Sequence, residues 1–354
     1  MKVNLIYNRI PHHAGRSGYD QIARFLAGRV PVESLEADVP RMIPWKAWEW
    51  MADHSREWIA ARSGMDWYDI WGLSLEIATA FKILRENEKI YHILYGENSY
   101  RYLGALSSIA RWKDTRIICS YHQPPEIFDK VVSCKSMLKK LDAIIVVSSN
   151  QARYFASFVG KEKVFVIPHG VDTDFFRPGE QKALDGQLCL FVGQWLRDFD
   201  MLRDVVRCVG LSDPSVKFKI ITSQEKATIF AGLSNVIALS SIADTELLQA
   251  YHEAAIMVLP LIDCTANNSL LEGLACGLPI VTTDVGGTGD YLDAACAFMV
   301  SSGDVKSMCE AILKLTSDQR LRMEMGSQSR LRAQTYDWRH VADMLIGVYQ
   351  KLAS

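Results

Sequence analysis

The sequence predicts an α/β protein, and three observations carry that prediction. Short apolar runs of strand length recur along the chain and alternate with segments of helical pattern. The stretch VLPLIDCTANNSLLEGLACGLPIVTTDVGGTGDYL, Val258 to Leu292, reads as a complete strand–loop–helix–strand unit. The chain has 354 residues, enough for two domains with their own cores, and the polar run GEQKALDG at 179–186 has the composition of a linker.

The unit around residue 270 organises the rest. The apolar run 255–261 has the hydrophobic continuity of a parallel strand buried on both faces. A small polar loop follows, 263–269, then a helical segment, 270–276, stopped by Gly277 and Pro279. A second buried strand, 279–283, leads into the glycine turn Gly286-Gly287. The first amides of a helix lack partners within it and carry partial positive charge. Asn268, Ser269, Leu270 and Leu271 are therefore expected to point N–H groups above the sheet, where a phosphate is the natural guest. Glu272, one step further on, is in reach of ribose hydroxyls. An ordinary βαβ unit capped by Asn and Ser is the plain alternative.

Composition narrows the field. Hydrophobic residues make up 49% and charged residues 23%, as in a globular protein. A formal net charge of −2 argues against nucleic acid as a partner. The eight cysteines, at 119, 134, 189, 208, 264, 276, 296 and 309, show neither zinc-site spacing nor a disulfide framework. They read as reduced, buried thiols of a cytoplasmic protein. The run MKVNLIYNRI is too short for a signal peptide, and no stretch reaches the roughly 20 apolar residues of a membrane span, so any membrane contact is peripheral.

In chain order, 2–7 alternates as a first strand and runs through the loop RIPHHAGRSGYD into a helix at 22–26. Gly15 and Gly18 let the backbone approach a ligand, and Arg16 adds charge. The segment 40–75 carries Trp45, Trp48, Trp50, Trp58, Trp67 and Trp71, at spacings that predict core packing; a sugar- or lipid-facing surface is the alternative. Strands are expected at 90–95 and 116–121. His122 falls at the C-terminal end of the second, where ligand sites of parallel sheets collect, and two prolines then force an extended turn. The segment 126–141 reads as one amphipathic helix bearing Lys130, Lys135, Lys139 and Lys140. Those charges suit a solvated face, or an anionic membrane surface. A strand follows at 143–148, then KVFVIPHGVDTDFFRP at 163–178, with a turn at Gly170.

The second half opens with LCLFVGQWLRDFDMLRDVV. Strands are expected at 217–222 and 235–239, followed by SSIADTELLQAYHEA with Asp244 as the helix cap. Beyond the central unit, 303–317 and 319–334 read as helices, and YDWRHVADMLIGVYQKL as a closing helix.

Several of these segments resemble retaining glycosyltransferases of family 4, which have the GT-B fold. The stretch 264–292 resembles the family's signature of two Glu eight positions apart, a small-residue run ending CG-P-V, and a D-GG turn. Glu272 matches the second Glu, while Cys264 stands where the first is expected, with Asp263 beside it. The segment 163–178 resembles VIPNGVD…F.P, with His169 in place of Asn. In the family the opening of the second half reads FVGR, a loop, then KG; here Gln194 replaces the Arg and Arg197 falls where the Lys is expected. The resemblance covers most of the chain, strongest at 163–178, 243–292 and 334–352 and weak from 40 to 90.

The resemblance implies two Rossmann-like domains facing each other across a cleft. An acceptor-side domain would occupy 1–178, a linker 179–186, a nucleotide-sugar domain 187–333, and a helix crossing back to the first domain 334–354. It implies transfer of a hexose-type sugar from a UDP- or GDP-sugar to a hydroxyl of a glycan or lipid-linked glycan, with retained anomeric configuration and neither metal nor cofactor. Arg197 and the amides at 268–271 would hold the diphosphate, Glu272 the ribose, and the backbone at Ser240–Ile242 the base. The loop with Gly15 and Gly18 would close over the phosphates, and His122 would lie near the sugar. The first Glu's contact with sugar hydroxyls would pass to Asp263, or to Asn267 or Asn268, or the donor differs. The implied location is the cytoplasm or the inner membrane face. Two other functions fit the same architecture: a sugar-nucleotide epimerase or hydrolase, and a non-catalytic partner that binds nucleotide sugar or glycan.

Overall fold

In a computed structural model the chain forms two compact units. The structure describes residues 1–8, 15–36, 44–87, 89–179 and 186–354. The first unit comprises Met1–His13, Gly18–Pro168 and Arg339–Ser354; the second comprises Ala14–Ser17 and His169–Trp338. The segment 169–178 thus belongs with the second unit, and 180–185 of the linker lies outside the described residues.

The first unit is built on six strands, β1 Val3–Tyr7, β2 Val32–Glu36, β3 Ile90–Ile93, β4 Arg116–Tyr121, β5 Ala143–Val146 and β6 Val164–Val166. They pair in parallel in the order β2-β1-β3-β4-β5-β6. Every residue of β1, β3 and β5 is buried, as central strands covered on both faces require. The helices are α1 Ile22–Leu26, α2 Trp45–Ser63, α3 Ile70–Arg85, α4 Gly96–Ser99, α5 Ser107–Trp112, α6 Pro125–Val131 and α7 Ser149–Val159. Strand order reverses direction between β1 and β3, which makes the C-terminal ends of these two strands the switch point of the sheet.

The second unit repeats the plan with β7 Leu188–Val192, β8 Lys217–Ile221, β9 Val236–Leu239, β10 Ile256–Leu259, β11 Ile280–Thr283 and β12 Ala297–Val300, all parallel in the order β12-β11-β10-β7-β8-β9. Its helices are α8 Phe199–Ser212, α9 Gln224–Ala227, α10 Asp244–Glu253, α11 Asn268–Ala275, α12 Thr288–Tyr291, α13 Val305–Ser317 and α14 Gln319–Thr335. The closing helix, α15 Trp338–Ala353, starts in this unit and continues in the first. Asp198, Asp304 and Asp318 cap α8, α13 and α14, each side chain accepting an amide of the first turn. The switch point of this sheet lies between β7 and β10.

The predicted α/β class is observed in both units, with four local corrections. Only part of the tryptophan set packs inside. Trp48 is buried and meets Trp71 edge-on at 5.5 Å, whereas Trp50 and Trp58 are 61% and 60% exposed. Trp48 and Ile59 lie on the buried stripe of α2, and residues 50, 54 and 58 project from another face. The side chain of Trp45 lies outside the described residues. The segment 126–141 is not one helix: α6 ends at Val131, Val132 bridges to Met65, and a 3-10 turn, Ser136–Lys140, follows. Asp244 is the first residue of α10 and not its cap; the Ala243 amide is instead held by the Glu246 side chain at 2.8 Å. Strands β2, β6 and β12, at the edges of their sheets, were not foreseen.

Candidate functional site

At the switch point of the second sheet, the loops after β7 and β10 run beside each other. The Asp198 amide donates to the Pro260 carbonyl at 3.0 Å and the Ile262 amide to the Leu196 carbonyl at 2.9 Å. Leu196 adopts a left-handed conformation, φ 54°, uncommon for a branched side chain. The next residue, Arg197, is turned back over the end of β7. Its Nε and Nη2 donate to the Val192 carbonyl, both at 3.1 Å; Nη2 also donates to Asn267 Oδ1 at 3.1 Å and Ser269 Oγ at 2.7 Å, and Nη1 to the Trp195 carbonyl at 2.9 Å. Gly193, at φ 104°, makes room: a Cβ there would sit 2.6 Å from Nη2.

All five of these bonds go to neutral oxygens. Among the described residues no carboxylate forms an ion pair with Arg197, and burial pushes its guanidinium down to about 10. The Glu272 charge acts on it from beyond ion-pair distance, but every group it bonds is neutral, which leaves the half-buried cation suited to take an anion. It faces the start of α11, the positive end of that helix.

Asn267 caps α11. Its Oδ1 accepts the Leu270 amide at 3.1 Å, and its carbonyl accepts the Leu271 amide at 3.1 Å. These two amides are therefore engaged within the helix start, and the ligand-facing set narrows from the predicted four to Asn268 and Ser269. Ser269 Oγ lies 3.1 Å from the Val192 carbonyl and 3.0 Å from Asn267 Oδ1, and its own proton serves one of them.

Glu272 is buried, and both carboxylate oxygens accept hydroxyls: Tyr251 donates to Oε2 at 2.7 Å and Ser17 to Oε1 at 2.5 Å. Burial raises its pKa; the two hydroxyl bonds oppose the rise. Gly15 and Ser17 are part of the second unit, where Arg16 pairs with Asp172 at 3.6 Å; Gly18, at φ 102°, is part of the first.

Asp263 and Cys264 are held by the glycine turn. Asp263 Oδ1 accepts the Cys264 amide at 2.7 Å, and the Cys264 carbonyl accepts the Gly287 amide at 2.6 Å. A Cβ on Gly286 would overlap both the Cys264 carbonyl and the Asp263 carboxylate, so only glycine fits. Burial pushes the Cys264 thiol up to about 12, so the position expected for a carboxylate carries a neutral group, and Cys264 serves the loop through its backbone. Ser240 and Ile242 follow β9 at the sheet edge: Ser240 Oγ donates to Gln224 Oε1 at 2.8 Å, and Ile242 packs against the core. Gln194 is exposed.

His122 stands in the first unit, beyond the end of β4, between the rings of Tyr19 at 4.6 Å and Tyr95 at 5.1 Å. Nε2 bonds the Leu94 carbonyl at 2.7 Å, which assigns the ring proton to Nε2. The second unit thus gathers Arg197, Asn267, Ser269 and Glu272 around one sheet end, while His122 occupies the corresponding end of the first. Sequence reasoning missed Ser17 and Tyr251. Tyr251 was visible in the ELLQAYHEA pattern, but its bond to Glu272 spans two helices; Ser17 left no signal beyond its place between two glycines. Among the described residues no three His, Cys, Asp or Glu form a metal-binding group, and no helix is long and apolar enough to cross a membrane.

Two parallel six-stranded sheets, each with a polar site at its switch point, define the class: the chain belongs to the GT-B glycosyltransferases of the family 4 type. The family model described as Glycosyltransferase Family 4 matches residues 53–175, and that described as Glycosyl transferases group 1 matches 186–318. A D-inositol 3-phosphate glycosyltransferase from Stackebrandtia nassauensis is 28% identical over 254 residues, which cover 64% of this chain and 57% of that protein. An MMP alpha-(1->4)-mannosyltransferase from Mycolicibacterium hassiacum is 25% identical over 230 residues, covering 61% of this chain and 56% of its own. The match therefore spans little more than half the length of these relatives. In fold, a sucrose-phosphate synthase from Thermosynechococcus elongatus superposes with a TM-score of 0.72 at 16% identity, covering 99% of this chain and 98% of its own.

Proposed function

We propose that the chain transfers a hexose-type sugar from a UDP- or GDP-sugar to a hydroxyl of a glycan or lipid-linked glycan, with retained anomeric configuration. The observation that carries this reading is Arg197: a half-buried guanidinium bonded to neutral oxygens, beside the free end of α11 at a sheet switch point. A leaving diphosphate answers that charge. Arg197 and the amides of Asn268 and Ser269 stabilise the negative charge that develops as the glycosidic bond breaks. Glu272 accepts the ribose hydroxyls in place of Ser17, the segment 240–242 flanks the base, and His122 attends the sugar. The departing phosphate takes the acceptor's proton, so no protein base is assigned. With Arg197 on the diphosphate the reaction proceeds without a metal ion. The setting is the cytoplasm, at the inner membrane face when the acceptor is lipid-linked.

A panel of nucleotides and nucleotide sugars tests this. UDP or GDP at 100 times its dissociation constant is expected to stabilise the protein by about 2.7 kcal/mol, and Arg197→Ala to abolish the effect. Transfer in the presence of chelator, with the product anomer read by NMR, completes the expected result. Epimer or free sugar as product supports the epimerase or hydrolase instead. Binding without turnover supports a non-catalytic partner, a reading favoured by the neutral thiol of Cys264 and by Gln194 in place of the family's Arg.

A further inference from the structure

Among its described residues the first unit buries two carboxyl groups, Glu76 within α3 and Glu97 just beyond the end of β3, and they differ in how they are satisfied. Glu76 accepts the amides of Arg101, Tyr102 and Leu103 and the hydroxyl of Tyr68, so both of its oxygens are engaged in holding a turn. Glu97 is 1% exposed, yet its Oε2 is buried with no hydrogen-bond partner. Its Oε1 accepts the backbone amide of His122 at 3.1 Å. The Gln123 side chain lies near enough to favour the charged form without meeting hydrogen-bond geometry to Oε2. A buried carboxyl used only for structure is satisfied in the manner of Glu76; Glu97 engages one oxygen, and that oxygen holds His122.

The two ends of His122 are fixed by a single turn. Strand β3 ends at Ile93, opposite Cys119 of β4, and the chain turns through Leu94 and Gly96 to Glu97. Leu94 takes the imidazole Nε2–H at 2.7 Å while Glu97 takes the main-chain N–H. Gly96 permits this approach, since a Cβ there would lie 2.6 Å from the Tyr121 ring. The neutral ring then carries its lone pair on Nδ1.

We propose that Glu97 is a positioning residue for His122: it anchors the backbone from which the imidazole projects, while the Leu94 carbonyl sets the tautomer, so the ring is presented in one orientation. Burial pushes the Glu97 carboxyl up to about 7, which favours a protonated form whose shape and hydrogen bonding glutamine reproduces. This inference rests on the reading of His122 as the sugar-side residue. A misplaced catalytic group costs rate rather than substrate affinity.

The test compares Glu97→Ala with Glu97→Gln in the full chain, with the His122 ring observed by nitrogen NMR and its signals assigned through His122→Asn. Glu97→Ala is expected to replace the single Nε2–H pattern by a tautomeric average. With the UDP- or GDP-hexose found active, it is expected to lower kcat about tenfold or more while KM for that donor changes less than about threefold. Glu97→Gln, which keeps an acceptor oxygen, is expected to restore both. Unmoved ring signals in Glu97→Ala, or a glutamine variant as impaired as the alanine one, overturn the proposal. The ring spectrum needs no substrate, so this outcome is separable from failure of the transferase reading, which shows as loss of nucleotide binding in the unaltered protein.

Discussion

At the scale of single residues, Glu272 and Glu97 have opposite settings. Glu272 is saturated by Tyr251 and Ser17, and a ligand that recruits it exchanges one hydroxyl for another. Glu272→Ala removes a buried acceptor that costs about 2–4 kcal/mol to lose, so kcat/KM for the nucleotide sugar is expected to fall about 100-fold or more. Steady-state kinetics on the purified variant check this. Glu97 affects stability through its proton. A carboxyl whose folded pKa lies above its unfolded value holds the proton more tightly when folded. Its contribution is complete below about pH 4.5 and disappears as pH climbs through about 7, a change of about 3 kcal/mol. Its charge is felt by Cys119 and Tyr121 on the neighbouring strand. Glu97→Gln is neutral at every pH, so above pH 7 its melting temperature should exceed that of the unaltered protein, with the two converging near pH 4.

At the scale of elements, α11 and its cap hold the site together. Asn267 Oδ1 is shared by the Leu270 amide, Arg197 and Ser269. Replacing it with alanine is expected to cost about 1 kcal/mol in denaturant unfolding and, by loosening Arg197, to weaken UDP or GDP binding measured by calorimetry. The elements most legible in the sequence are those where hydrophobicity is continuous. β10, α11 and β11 were read within one or two residues because every residue of both strands is buried. β2, with sequence VESLE, is an exposed edge strand whose charges hide the strand signal, and its pairing to β1 is a property of the sheet rather than of the segment. The lysine-bearing stretch 126–141 has helical spacing throughout, but the Val132–Met65 bridge, made between residues far apart in sequence, overrides it. The same limit applies to the site. Glu272 was picked out by local pattern and Arg197 by the family resemblance, whereas the hydroxyls of Ser17 and Tyr251 reach Glu272 only through tertiary packing.

At the scale of the whole molecule, two sheets of the same architecture carry their polar groups at equivalent places, the strand ends where order reverses. The chain does not divide between the units in one cut. Arg339–Ser354 belongs to the first unit, where the Tyr349 hydroxyl meets His92 Nδ1 at 2.7 Å in the interior, and burial pushes His92 down to about 3. The first unit is therefore completed by residues that follow all of the second in the chain. A released chain truncated after Trp338 is expected to resist protease across 187–333 while 90–160 becomes cleavable, whereas the chain that includes Arg339–Ser354 protects both. The earlier half of this sequence then cannot close its core until residues from beyond the later half are present.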